Sequence, residues 1–238
     1  MAVHELDEFE DALIARVRAH PVLANVARLP EGEFQALLLQ RRFLSLAFTP
    51  AYDLAIDLLT DEQSVRIART ILREEYPGED GRSPSHREEM KEDILRLGVP
   101  RRDLVTSRPT RATVESITAT FDLISEAGAG EHPDVALLTV LRFWGEVLVA
   151  VEYEELWARI GPVLGERSTF YLPHKVHDAK VRPLAEASPL ASTHSDQLGV
   201  RLWQALRSAG ERECFKHTEE AIANIKTAFY DQFALQPA

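Results

Sequence analysis

The chain has one cysteine, Cys214, so it can form no internal disulfide and fits a reducing compartment. It has no apolar run long enough to span a membrane. Its first residues, MAVHELDEFEDALIARVRAH, are acidic and amphipathic, without the basic segment and apolar core of a signal peptide. No stretch alternates convincingly with a period of two, which argues against β-strands. Cations are also in short supply: 27 Lys and Arg stand against 38 Asp and Glu, for a net charge of -11. Phosphate-binding surfaces need clustered cations, so neither nucleic acid nor an anionic membrane is expected as a partner. The expectation is a cytoplasmic protein.

Helical periodicity fills the chain instead. FEDALIARVRAH places Phe9, Leu13, Ile14 and Val17 on one face. EGEFQALLLQRRFLSLAF reads as a second helix, interrupted or kinked near Pro50, and DEQSVRIARTILREEY as a third that stops before Pro77. In SPSHREEMKEDILRLG, Ser85 and Glu88 form a capping box and Gly98 closes the helix. TRATVESITATFDLISEAG is followed by PDVALLTVLRFWGEVLVAVEYEELWARI, apolar enough to be a central buried helix. Two further helical stretches complete the chain, THSDQLGVRLWQALRSAG and ERECFKHTEEAIANIKTAFYDQF. With no repeat and no low-complexity linker, residues 1–238 are expected to form one all-α bundle of about seven or eight helices.

Three clusters could carry chemistry. Glu146 is the sole charged residue between Phe143 and Val151. A buried carboxylate needs a partner, a proton or a metal, and Arg142 one turn earlier is the ordinary candidate. In FYLPHKVHDAKV, His174 and Asp178 share a helical face, with His177 close by and Pro173 suited to a first turn. An imidazole and a carboxylate so spaced can reach one metal, or can simply form a solvated pair. In REEYPGEDGRSPSH, the carboxylates Glu74 and Glu75 stand at a helix C-terminus, where the dipole disfavours them, 11 residues before His86 in the case of Glu75. Either they form a wet acidic corner with Glu79 and Asp80, or a cation lies close. Cys214 reads as a structural thiol, and His4, His20, His132 and His217 as surface residues.

Glu…His, then a solitary Glu, then His-x-x-x-Asp resembles the haem-oxygenase-like di-iron oxidases and oxygenases. Their pattern runs Glu, loop, His; then Glu; then His-x-x-x-Asp-x-x-His. The resemblance implies metal ligands at Glu75, His86, Glu146, His174 and Asp178. Val181 stands where the last histidine would be, which leaves His177 from the same turn, or His194 after an inserted RPLAEASPLAS; His194 is preferred. Whether Glu74 or Glu75 is the first ligand stays open. The resemblance further implies two iron ions, O2 as co-substrate, and a small amine- or carboxylate-bearing substrate, most of all an amino acid. C–H abstraction would lead to desaturation, cleavage or cyclisation in specialised metabolism, and Arg142 could receive a substrate carboxylate. An external electron donor and a homodimer are compatible with it. Two other readings compete: a metal-free, thiaminase-like or cofactorless enzyme using Glu75 and Glu146 as acid and base, and a non-catalytic binding protein. The latter expects Glu146 paired with Arg142, and His174 and Asp178 facing water.

Overall fold

The computed structural model describes residues 4–78, 83–190 and 192–233. Helix α1 (His4–Arg18) buries Leu6, Leu13 and Val17, with Phe9 and Ile14 packed at the margin of the same stripe. A single turn, α2 (Pro21–Ala24), leads into α3 (Glu31–Leu58). His20, expected at the surface, is buried here: its Nδ1 accepts from the Val22 N–H and so caps α2, and Nε2 lies 3.1 Å from Asp231.

The interruption expected at Pro50 is absent, and α3 runs unbroken through it. Proline removes one donor, but α3 is held by a buried face on both sides, including Leu44, Ala47, Ala51, Tyr52 and Ala55. Asp61 caps α4 (Glu62–Glu74) by accepting from the Ser64 N–H. The Ser85–Glu88 capping box opens α5 (His86–Arg96), and Gly98 follows it at φ 89°, a left-handed conformation suited to glycine. Short α6 (Arg101–Thr106) then precedes α7 (Arg111–Ala129), which packs along α3.

The centre of the bundle begins as α8 (Pro133–Thr139), widens into a π-helical stretch (Val140–Val147) and continues as α9 (Leu148–Leu164). From residue 135 to 153 every residue is buried. Gly145 sits where a Cβ would meet the Tyr52 ring at 2.8 Å, so its bare backbone lets α3 approach the π-helical stretch. Around this core pack α10 (Tyr171–His177), α11 (His194–Ala205) and α12 (Ala209–Asp231). Eight of these helices have eleven residues or more, the scale of helix that periodicity can register; the others are one or two turns long. Among the described residues no helix is long and apolar enough to cross a membrane.

Two ionic clusters are built into the core. Arg142 forks onto Glu10 at 2.6 and 3.1 Å and gives its Nε–H to the Ser195 carbonyl. Lys180 adds contacts to Glu10 and Asp7 at 3.3 Å. The second cluster joins Arg41 of α3, Glu152 of α9 and Lys226 of α12.

Candidate metal centre

Five elements deliver the side chains foreseen as ligands. Glu75 caps the C-terminus of α4, and its Oε1 accepts from the Nδ1–H of His86, the first residue of α5, at 2.9 Å. His174 of α10 stands beside His86, with ring centroids 4.7 Å apart and an edge-on orientation. Its Nδ1–H donates to the Phe170 carbonyl at 2.7 Å, which turns the lone pair of Nε2 toward ligands and fixes the tautomer. Glu146 projects from the π-helical stretch, Asp178 caps the C-terminus of α10, and His194 begins α11.

These residues assemble as two triads, Glu75–His86–His174 and Glu146–Asp178–His194, each with ligand atoms within 4.8 Å of one another. His194 Nδ1 lies 3.2 Å from Glu146 Oε2 and 3.4 Å from Asp178 Oδ1, and Nε2 lies 3.2 Å from Glu74 Oε2. Glu74 and Glu75 therefore both face the site: Glu75 toward His86, Glu74 toward His194 from a half-exposed position. Tyr52, stacked on Phe48, sets its hydroxyl against Glu146 Oε1.

The inserted stretch after α10 explains how His194 reaches the site. Helix α10 ends at His177, Val181 is 55% exposed, and the chain returns to start α11 at His194. His177 stays at the exposed rim of the cavity, outside both triads. Glu79 and Asp80, named with the acidic corner, and Ala191 of the insertion lie outside the described residues.

Arg142 requires a correction: it neither pairs with Glu146 nor reaches the cavity. It is committed to Glu10 and the Ser195 carbonyl, 2% exposed. The cause is tertiary packing, which brings the Glu10 carboxylate of α1 onto Arg142. Glu146, for its part, is taken up by the Tyr52 hydroxyl and by His194. A substrate carboxylate cannot bind Arg142 without displacing a buried ion pair. The placement expected of a non-catalytic protein is also missing, since Asp178 is 3% exposed and His174 only partly exposed.

The electrostatics are set by buried carboxylates crowded against imidazoles. Burial, then the charge of Glu146, raises Asp178 well above the ordinary carboxyl range. Burial acts to lower His194, but hydrogen bonds to Asp178, Glu146 and Glu74 prevail and push it up to about 12. The same contest at His86 is won by Glu75, which raises it. His174 is the exception: burial and then the neighbouring His86 charge depress it to about 3, leaving a neutral imidazole ready to bind a cation. In the metal-free chain, a proton on His194 supplies the cation that the buried carboxylates need.

Folding raises His194, so its contribution to the stability of the metal-free chain is full below the ordinary value of 6.5 and is lost as pH rises toward about 12. A metal binding through His194 must displace that proton. Loading at pH 7 should release protons, and the binding constant should rise about tenfold per pH unit for each proton released. Calorimetric titrations in buffers of different ionisation enthalpy count them; no release would mean that His194 stays outside the coordination.

The triads border a cavity of about 400 Å³. Its walls combine apolar Leu44, Phe48, Trp144 and Val149 with polar Arg41 and Lys226. This mixture, apolar with a few convergent polar groups, suits a small organic ligand.

No protein-family profile and no curated protein matches the chain. Solved structures do. One is a domain of unknown function with a haem oxygenase-like fold from Shewanella denitrificans OS217, at TM-score 0.70 and 14% identity, covering 98% of this chain and 92% of that one. A CADD-like protein of unknown function from Nostoc punctiforme PCC 73102 aligns at TM-score 0.68 and 12% identity over 98% and 96%. A TenA family transcription regulator from Silicibacter sp. TM1040 aligns at TM-score 0.57 and 14% identity over 98% and 95%. The chain has the haem oxygenase-like all-α fold; identities this low speak to the fold alone.

Proposed function

We propose that this chain is a non-haem di-iron, O2-activating oxidase or oxygenase, acting on a small organic substrate held in the cavity beside the two triads. The observation that carries this reading is the pair itself. Three histidines and three carboxylates, from five helical segments, sit as two adjoining three-donor groups at the wall of a partly open, largely apolar space. Mixed imidazole and carboxylate donors from several helices suit iron, and three donors on each ion leave positions open. Bound there, the two ions would supply dioxygen activation and one-electron chemistry on an aliphatic C–H bond.

The chain's own residues have separable tasks in this reading. The Tyr52 hydroxyl and the close approach at Gly145 orient Glu146. The Phe170 carbonyl orients His174, and Glu74 orients His194 through Nε2. Phe48, Trp144 and Val149 exclude water from the space beside the donors. An amino acid fits as substrate, and desaturation, cleavage or cyclisation are the outcomes in view.

The test is metal stoichiometry. Metal-free protein titrated with Fe(II) without oxygen should bind about two ions per chain, the number expected of a di-iron carboxylate site. His174→Ala should bind about one fewer. Admission of O2 to the wild type should give a visible absorption change that His174→Ala lacks. A wild type that binds no specific iron would overturn the proposal and leave Glu75 and Glu146 as candidates for metal-free acid–base work.

A further inference from the structure

Besides the triads and the exposed Arg87, the cavity wall carries a buried charged cluster. Arg41 and Lys226 line its wall, 3% and 2% exposed, and both are held by Glu152, itself fully buried. Arg41 meets Glu152 Oε2 through Nε at 2.8 Å and through a terminal nitrogen at 2.6 Å, and its other terminal nitrogen donates to Ser45 at 2.9 Å. Lys226 Nζ lies 3.2 Å from Glu152 Oε1 and 5.3 Å over the Trp144 ring. Two cations thus share one carboxylate. Burying a charge without an equal partner is expensive, and replacing such groups by apolar ones is commonly neutral or stabilising. A surplus buried cation at a cavity wall has a use only if something negative arrives.

We infer that Arg41 and Lys226 form the receiving site for the carboxylate of the substrate, so that the substrate is a small carboxylic acid with an apolar body. The contacts to Glu152 and Ser45 use three of the five N–H donors of Arg41, with the Tyr230 hydroxyl close to it as well, and those to Glu152 leave Lys226 a third N–H, so each head keeps an unspent donor. Glu152 holds the two heads in place before the ligand binds, which reduces the ordering cost of binding.

The placement also ties this site to the triads. Arg41 lies 5.0 Å over the Tyr153 ring, and that ring lies 6.2 Å from His174. Trp144, under Lys226, is two residues before Glu146 in the same π-helical stretch. An acid anchored here extends its apolar part along Phe48, Trp144 and Val149, beside the donor groups. Arg142, the cation first expected in this role, is sealed against Glu10; Arg41 and Lys226 take its place.

The inference rests on the cavity being the substrate chamber of the proposed enzyme, and one experiment separates the two. Octanoate and 4-phenylbutanoate, each beside its primary amide, are titrated calorimetrically into the full chain, metal-free and Fe(II)-loaded, with iron counted in the same samples. Each acid should bind at least tenfold more tightly than its amide. Lys226→Met leaves Arg41 and Glu152 as a neutral pair, so it should remove that preference, leave amide binding in place and keep the iron count unchanged. Lys226→Gln retains a hydrogen bond to Glu152 and should behave alike, which guards against a folding defect. Amides binding as tightly as acids, neither binding, or an acid preference that survives both variants would overturn the inference. An acid preference lost in both variants, in a chain that binds no iron, would uphold this site and overturn the di-iron reading instead.

Discussion

Glu146→Gln protein should bind one metal ion fewer than the wild type, yet its metal-free form should melt no lower, and the two outcomes share one cause. Glu146, Asp178 and His194 bring two carboxylates and one imidazolium together in a space that Glu146 and Asp178 share at 1% and 3% exposure. Without a metal, burial and the charge of Glu146 hold Asp178 protonated; with that charge gone, Asp178 can ionise against His194 instead. The glutamine amide keeps the shape and an acceptor for the Tyr52 hydroxyl while leaving His194 and Asp178 as a neutral pair. Because Asp178 can take over the pairing with His194, no buried charge is left without a partner and the change does not destabilise. For the metal the change is adverse: altering groups that merely orient ligands already costs about 10–100-fold in affinity, so loss of a charged donor should cost at least about 100-fold. Metal counting and thermal unfolding on the same preparation check both halves. Full metal occupancy in the variant, or a metal-free form that melts several degrees lower, would contradict the assignment.

Arg142→Met should produce the opposite pattern, a large loss of stability with little effect on the metal donors. Arg142 neutralises Glu10 and lies 4.0 Å from Glu219, both fully buried. Burial alone would raise Glu10, but the charge of Arg142 holds it below its ordinary value. Burial and the charge of Glu10 raise Glu219 well above the usual range, so Glu219 is kept protonated. Methionine leaves Glu10 with Lys180 at 3.3 Å as its remaining cation. Breaking a buried pair in this way costs about 3–5 kcal/mol, against a total stability of about 5–15 kcal/mol. At about 2–4 °C per kcal/mol for a chain of this size, the melting temperature should fall by about 6–20 °C. A lowered folded pKa contributes stability above the unfolded value that is lost as pH falls. The gap between wild type and variant should therefore narrow in acid, where Glu10 can take a proton. An unchanged melting temperature at neutral pH would show that the cluster relaxes without Arg142.

What could be read in advance was local or periodic. The apolar stripe of α1, the Ser85–Glu88 box, the Gly98 stop and the buried run around Glu146 each follow from spacings within a few turns, and the structure carries all four. The order Glu, His, Glu, His, Asp also marked the residues that the fold gathers into two triads. The misreadings came from partners far apart along the chain. Arg142 finds Glu10 across 132 positions, a separation on which no local pattern reports. Glu146, its partner by spacing, is taken up instead by the Tyr52 hydroxyl and by His194. Glu152 was overlooked although it ends the same apolar run, and Lys226 although it stands among apolar neighbours on α12; each resembled an ordinary polar residue on an amphipathic helix. Charged residues inside otherwise apolar runs were the available signal.

The π-helical stretch also bears on how such a chain can change over generations. A wide turn behaves like a one-residue insertion absorbed by the helix, offsetting everything beyond it by about 100°. Arg142 stands near the start of the stretch, Glu146 near its end and Glu152 beyond it, and each meets a different partner on a different helix. Swaps of side chain along 140–147 alter volume and can be repacked. Losing one residue would rewind the segment into an ordinary helix and bring one group of partners back only by turning the others away. Length is inherited information here as much as residue identity, and descendants of this chain should drift in composition through this segment while keeping its residue count.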